Sequence, residues 1–174
     1  MVVRTLVVLV ALSSAAFAST QSIAIFESRD RGATSEGDAI LATDPDTAYA
    51  VAANVGGWAH IFPELRSAVV RERRADSIDV ELVRRDGEVS RVRFRNRAAG
   101  RVVAFEQLGG NAEVSAELVF TPGERAGTTR VHSRVHADVH GLASAFVSGS
   151  ELRSLRQQRI RESLGQLQAY FARR

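Results

Sequence analysis

The chain has 174 residues, 45% hydrophobic and 25% charged, and no cysteine. That is the size of one domain with enough chain to bury a core; the composition argues against a disordered tract, a collagen or a polytopic membrane protein, and the missing thiol excludes disulfide scaffolds, thiol nucleophiles and thiolate metal sites. The 23 basic residues are all arginine against 20 acidic ones, so the net charge is only +3, and the isoelectric point near 10.4 reflects arginine titration rather than a field that would draw in a nucleic acid.

Met1 to Ala18 opens with Arg4, continues through an apolar run from Leu6 to Leu12 and ends in Ala16-Phe17-Ala18. The run is short for a membrane span and the ending is an A-x-A cleavage signal, so residues 1–18 are expected to be a signal peptide and the protein to be exported, most plausibly to a periplasm. Residues 19–32 read as a first short strand, with Ile23 and Ile25 on one face, followed by a turn at Arg29 to Gly32. Ala33 to Ala42 is a second extended stretch. Asp44-Pro45-Asp46-Thr47 then starts a helix, with Asp44 as N-cap and Pro45 at the first helical position. Gly56-Gly57 is expected to end it, and Trp58 to Pro63 reads as a second short helix or tight turn stopped by the proline.

From Leu65 to His140 the hydrophobic period is two, broken about every ten residues by turn chemistry, as in an antiparallel meander. Asp86-Gly87 predicts a two-residue hairpin with both positions at positive φ. Ala98 to Gly100, Gly109 to Asn111 and Pro122 to Gly127 supply further turns. Alternation assigns Ile78, Val80, Leu82, Val92, Phe94, Val103, Phe105, Val114, Ala116, Leu118, Phe120, Val131, Val135 and Val139 to one face. Asn96 and Ser133 are its polar exceptions. The opposite face carries Asp79, Glu81, Arg91, Arg93, Arg95, Arg97, Glu113, Glu117, Arg130, His132, Arg134 and His136. Cross-strand pairing accounts for this lattice without a ligand: Asp79 and Glu81 opposite the arginine stripe, Glu113 and Glu117 opposite Arg130 and Arg134. His132, His136 and His140 would share a face on a helix; on a strand, positions four apart stand about 13 Å from each other, too far for one metal ion.

Ser148 to Glu151 fits a capping box. Leu152, Leu155, Ile160, Leu164, Leu167 and Phe171 then recur at helical spacing, with Arg153, Arg156, Arg159, Arg161 and Glu162 expected mostly toward solvent. This C-terminal helix, about 36 Å long, is long enough to lie across the whole sheet and cover its apolar face. Gly141 to Val147, small and apolar, reads as a lid. The fold class is α+β: an antiparallel sheet, one long C-terminal helix and two short helices near the N-terminus.

That order is the order of the helix-grip fold. The segment Ala42-Thr43-Asp44-Pro45-Asp46-Thr47-Ala48-Tyr49-Ala50-Val51, the Trp58 and Phe62-Pro63 that follow, Val103-x-Phe105-Glu106 and Gly127-Thr128-Thr129-Arg130-Val131 together resemble the polyketide cyclase/dehydrase and lipid-transport family of the START-like superfamily, which includes coenzyme Q-binding START-domain proteins. The chain departs from many members at Tyr49-Ala50, where a Trp is common, and at Ala53 to Gly56, where a Thr-Asp pair is common. The resemblance implies a helix-grip domain over residues 33–174, with a cavity between a curved sheet and the C-terminal helix that holds an apolar ligand.

The lining expected from the inward face is Trp58, Phe62, Phe94, Phe105, Leu118, Phe120, Val135, Leu155, Ile160 and Leu164. Such a lining suits binding more than proton transfer. No nucleophile elbow, dinucleotide loop or P-loop occurs, and no catalytic residue, cofactor or metal is assigned. The expected partner is a hydrophobic small molecule, with transient membrane contact and no nucleic acid. A cyclase/dehydratase using His60 or Tyr49 as proton carrier, and a cavity-less interaction module, are the alternative readings.

Overall fold

The computed structural model describes residues 23–27, 33–110, 112–140 and 147–173; the expected signal peptide, the turn at Arg29 to Gly32 and most of the lid segment from Gly141 lie outside them. In chain order the elements are β1 (Ala24–Glu27), β2 (Thr34–Leu41), α1 (Pro45–Ala53), α2 (Trp58–Ile61), β3 (Leu65–Arg73), β4 (Ile78–Arg84), β5 (Val89–Arg97), β6 (Val102–Gln107), β7 (Ala112–Pro122), β8 (Thr129–Val139) and α3 (Gly149–Ala172). This is the helix-grip arrangement that the sequence predicts.

The strands form one antiparallel sheet in the order β1-β2-β8-β7-β6-β5-β4-β3. β3 to β8 are the meander. β2 joins it by pairing with β8, from Thr34 opposite His136 to Leu41 opposite Thr129. Thr129 Oγ1 reinforces this closure by donating to the Thr43 carbonyl at 2.7 Å.

Local signals set the ends of the helices. Asp44 Oδ1 accepts from the Thr47 amide at 2.9 Å, satisfying one of the amides that α1 leaves without an internal partner. α1 stops at Ala53, earlier than Gly56-Gly57 predicts, and a 3₁₀ turn over Val55–Gly57 leads into α2. At α3 the capping box is complete: the Glu151 amide donates to Ser148 Oγ at 3.2 Å and the Ser148 amide to Glu151 Oε2 at 2.7 Å.

The β4–β5 hairpin is wider than the sequence suggests. Arg84 and Glu88 form the closing pair, with the Arg84 amide donating to the Glu88 carbonyl at 2.8 Å and the Gly87 amide to the Arg84 carbonyl at 3.1 Å. Gly87 alone takes positive φ, at 91°, because in a three-residue loop one left-handed residue restores the strand twist. The wider loop puts Arg84 and Glu88 on the same face as Leu82 and Val80, which proves important below.

α3 packs principally on β2 and β8 and also touches β1 and α2. The sequence suggests a helix spread over the whole sheet; the structure sets it toward one side. Gly37 is part of the reason. A Cβ there would stand 2.5 Å from Ile160 Cγ2 and 2.9 Å from the Ala24 carbonyl oxygen, so only glycine lets the helix come this close to β2. Ile160, Leu164 and Leu167 are consequently fully buried together with Ala39, Leu41 and Val131 beneath them. α1 packs on β6, β7 and β8, and α2 on β3.

Candidate ligand-binding groove

The register of the sheet sets one transverse row of inward-facing side chains. Ser35 lies opposite Val135, Val135 opposite Ala116, Ala116 opposite Phe105, Phe105 opposite Phe94, and Phe94 opposite Ile78. Trp58 meets this row from α2. Its indole Nε1 donates to the Ala52 carbonyl at 2.9 Å, which fixes the ring, and its faces and edges pack T-shaped against Phe62, Phe94 and Phe105 with centroids 5.7, 5.4 and 6.0 Å away. Four of the residues expected to line a site are therefore one aromatic cluster.

Burial divides the remainder. Trp58, Phe94, Leu118, Phe120, Val135, Ile160 and Leu164 are buried. Phe62 and Phe105 are half-buried against the core, as are Ala68, Val70, Ile78, Leu82 and Ala116. Leu155 is half-buried on α3. The half-buried sheet residues sit on the inner face of β3, β4, β6 and β7, away from the strands that α3 packs on most. Apolar side chains there share one inner face that α3 leaves incompletely covered. Asn96, expected to face inward, is exposed near the end of β5.

Polar groups stand at two places around this face. At the β4–β5 hairpin Arg84 Nε lies 3.4 Å from Glu88 Oε2, and both face α3, where Arg159 Nη1 lies 3.6 Å from Glu162 Oε2. Burial holds the Arg159 guanidinium below its ordinary value, against the attraction of Glu162, Glu64 and Glu88. Burial likewise pushes the Glu88 carboxyl up, with the Arg84 charge opposing. Glu162 Oε2 is enclosed without a hydrogen bond. Gln158 donates to the other oxygen of Glu162 at 2.8 Å within α3, and Gln166 to Glu64 at 3.0 Å, which ties the helix to the turn before β3.

Arg156 is the second polar group, and the sequence misplaces it. Expected toward solvent, it is only 5% exposed on the inner side of α3. Its position explains this. Arg156 is one turn before Ile160, on the stripe that also carries Leu152 and Leu164, and an i, i+4 neighbour of a fully buried side chain faces the same way. Arg159 and Glu162 are likewise half-buried, whereas Arg153 and Arg161 are exposed.

The outer face is the charge lattice that alternation predicts, with partners from an added strand. Arg93 pairs with Asp79 at 2.9 Å, Arg95 with Glu106 at 3.2 Å and Arg97 with Glu117 at 3.2 Å. Glu113, expected opposite arginine, faces Asp138, and Arg130 pairs instead with Asp38 of β2 at 2.6 Å. His132 shares Asp38 at 2.9 Å, His136 Nδ1 lies 3.2 Å from Thr34 Oγ1, and His140 is 3.4 Å from Glu113. The three histidines lie along or just beyond strand β8, each with a different partner, and among the described residues no cluster is placed to hold a metal.

Two concavities are separate from the aromatic row or reach it only at its edge. One of about 420 Å³ lies among Val51, Asn54, Gly57, His60, Ile61 and Tyr170, so His60 opens there rather than toward Phe94. The other, about 350 Å³, is on the outer face, where Arg95, Glu106, Glu117, Arg134 and His136 surround the backbones of Phe105 and Ala116.

A family model described as polyketide cyclase/dehydrase and lipid transport matches residues 33–172. No curated protein matches the chain. Among solved structures, the Zhui aromatase/cyclase from Streptomyces sp. R1128 superposes with a TM-score of 0.65 at 21% identity, over 81% of this chain and 94% of its own. A START superfamily protein from Mycobacterium smegmatis gives 0.66 at 11% identity, over 82% and 99%. The di-domain ARO/CYC BexL from the BE-7585A biosynthetic pathway gives 0.68 at 18% identity, over 79% of this chain and 45% of its own, so the chain spans less than half of that protein. At these identities the likeness is one of fold.

Proposed function

The chain belongs to the polyketide cyclase/dehydrase and lipid-transport family, and from that premise we propose that it is a binding or transfer protein for a hydrophobic small molecule of acyl, isoprenoid or polyketide-like character. The observation that carries this reading is the uneven cover of one apolar face: Ala68, Val70, Ile78, Leu82, Phe105 and Ala116 point inward yet stay half-buried, while Ala39, Leu41 and Val131 beside α3, and Val80, Phe94 and Val103 between the half-buried positions, are closed. Water on that face is displaced favourably by an apolar ligand, at roughly 25 cal/mol per Å² covered. The aromatic cluster gives the ligand a rigid wall, because Trp58 is held by its own hydrogen bond and by three ring contacts.

The aromatase/cyclases among the structural neighbours raise the enzyme alternative. It requires an acid or base directed at the ligand. His60 borders the separate concavity by α2 and Tyr49 packs against the core, so neither is offered as a catalytic group. The export reading continues as part of the proposal, on the strength of Ala16-Phe17-Ala18: the mature protein starts at Ser19 and loads or delivers its ligand at a membrane surface.

Native mass spectrometry of the protein from its exported fraction, repeated after solvent extraction, tests both parts. The expected result is a chain starting at Ser19 with an extractable apolar adduct near stoichiometric amount. Phe105→Asp should lower that occupancy, because it sets a charge in the middle of the row. Unchanged occupancy in a folded Phe105→Asp protein would remove this groove from the site, and an intact Met1 in the exported fraction would remove the cleavage.

A further inference from the structure

Arg156 is a buried cation that no carboxylate pairs with among the described residues. Nε donates to Ser35 Oγ at 3.2 Å and Nη1 to the Ala137 carbonyl at 3.3 Å, both neutral acceptors. Among the described residues no carboxylate lies within ion-pair distance of it. Glu27 is the strongest nearby negative charge, yet its Oε1 already accepts from Ser35 Oγ and Gln157 Nε2, at 3.4 and 3.0 Å, and faces Arg153 at 3.6 Å. Among the described residues Nη2 takes no partner, and it is not fully enclosed, since the enclosed side-chain atom lacking a hydrogen bond is Glu162 Oε2.

A guanidinium taken out of water is unfavourable unless it is paired, and replacing it by an apolar side chain is often neutral or stabilising. Leucine at position 156 would continue the stripe of Leu152, Ile160 and Leu164 and cover β2 directly. The burial cost is visible in the direction of titration: desolvation holds the Arg156 guanidinium below its ordinary value, only partly offset by Glu27 and Asp138. A charge kept at such a place, with no carboxylate paired to it among the described residues, suits a counter-charge carried by a ligand.

The row of inward side chains says what that counter-charge is attached to. Ser35, which Arg156 touches, begins the row; Val135, Ala116 and Phe105 follow, one per strand. At about 4.8 Å per strand, Ser35 and Phe105 are about 14 Å apart. Ala116, the smallest of these, is half-buried in the middle, and the Trp58 cluster closes the far end.

From this geometry we infer that the groove takes an apolar molecule ending in a carboxylate, with the carboxylate on Arg156 and the apolar body laid along Val135 and Ala116 toward Phe105. Arg156 is the specificity-determining residue of that site: its planar fork still has free N–H donors, which suits one carboxylate. This assignment rests on the binding reading proposed above and sharpens its ligand class.

Dodecanoate and dodecanol, which share an alkyl chain and differ in the charged end, separate the two ideas by isothermal titration calorimetry. The wild-type protein should bind dodecanoate on the order of ten- to a hundredfold more tightly than dodecanol, the worth of a hydrogen-bonded charge. In Arg156→Met the preference should vanish with dodecanol affinity kept, and the thermal midpoint should stay or rise. Equal affinity of the two probes for wild type overturns the anchor and leaves the apolar groove standing; absence of binding by either overturns both. A folded Arg156→Met protein that keeps the preference, or loses midpoint without losing preference, makes Arg156 a structural brace and overturns the assignment. The wild-type ratio decides independently of whether the variant folds, and Arg156→Lys, which keeps charge without the fork, should retain only part of the preference.

Discussion

The two sides of the same inner sheet face have the same sequence pattern and different environments. On β2 and β8, Ala39, Leu41, Val131 and Ser133 are within 2% of complete burial under α3. On β3, β4 and β6, residues Ala68, Val70, Ile78, Leu82 and Phe105 alternate just as regularly and remain half-buried, with Val80 and Val103 the closed positions among them. Alternation fixes which face is apolar; the helix decides how much of it is closed. The closed side holds the domain together, and the partly open side is the one proposed above to receive a ligand.

Truncation should separate the two sides most strongly. Leu164→Ala removes a fully buried side chain from a closed interface and should cost about 2–5 kcal/mol. Leu82→Ala, on the open side, leaves space that water already reaches and should cost about half of that or less. Urea unfolding with equal slopes measures both, and equal costs would break the comparison, because they would mean that the β4 side is packed as tightly as the β2 side.

Gly37 tests why the helix lies where it does. Gly37→Ala brings a methyl against Ile160 Cγ2 and the Ala24 carbonyl, an overpacking expected to cost about 1–3 kcal/mol. Ile160→Ala in the same chain takes away Cγ2 but not the backbone contact, so partial recovery of the overpacking is the expected reading of a double-mutant cycle. Full additivity would show that α3 is not pressed onto β2 at this point.

Much of this was legible in the residues, and the exceptions share one cause. The caps at Asp44 and Ser148 are local hydrogen bonds, and the meander is a chain of nearest-neighbour pairings, so both are written in short spacings. The aromatic lining of Trp58, Phe62, Phe94 and Phe105 follows from alternation plus one short helix, although which of them stay half-exposed does not. The pairing of β2 with β8 spans about ninety residues with no turn between the partners, so Asp38 could not be read as the partner of Arg130 and His132. Arg156 is the same failure on a helix. Its place on the stripe was visible, but arginine at a stripe position defaults to solvent unless tertiary structure buries it. Glu88 was missed because a two-residue turn at Asp86-Gly87 would pair it with Arg85 on the outer face, whereas Arg84 only continues the alternation of Val80 and Leu82.

The closed side is also held from outside, and acid should show it. Burial by itself would raise the Asp38 carboxyl, but its hydrogen bonds and charge contacts with Arg130 and His132 outweigh that and hold it below the ordinary carboxylate value. A group depressed in the folded state contributes stability above its unfolded pKa and loses that contribution as pH falls through the folded one. Asp38→Asn should therefore lower the thermal midpoint at pH 7 and match wild type near pH 2. A constant difference at both pH values would mean that Asp38 acts through packing, not charge.

The smallest effect should come from the opposite sign on the open side. Glu88 is raised, first by burial and then against the pull of Arg84, and its side chain is 29% exposed. A carboxyl raised in the folded state contributes stability below its unfolded pKa and loses it as pH climbs through the folded value, so at neutral pH the ionised Glu88 opposes folding. Glu88→Gln keeps the shape and removes that term, and should stabilise at pH 7 by no more than about 0.5 kcal/mol, discounted for solvent screening. The gain should disappear below the ordinary carboxylate range, where Glu88 is protonated in the folded and the unfolded chain alike. If the substitution instead destabilises at pH 7, the ion pair with Arg84 and the longer-range attraction of Arg159 outweigh the burial, and the network between hairpin and helix is a clasp that closes the groove at this end.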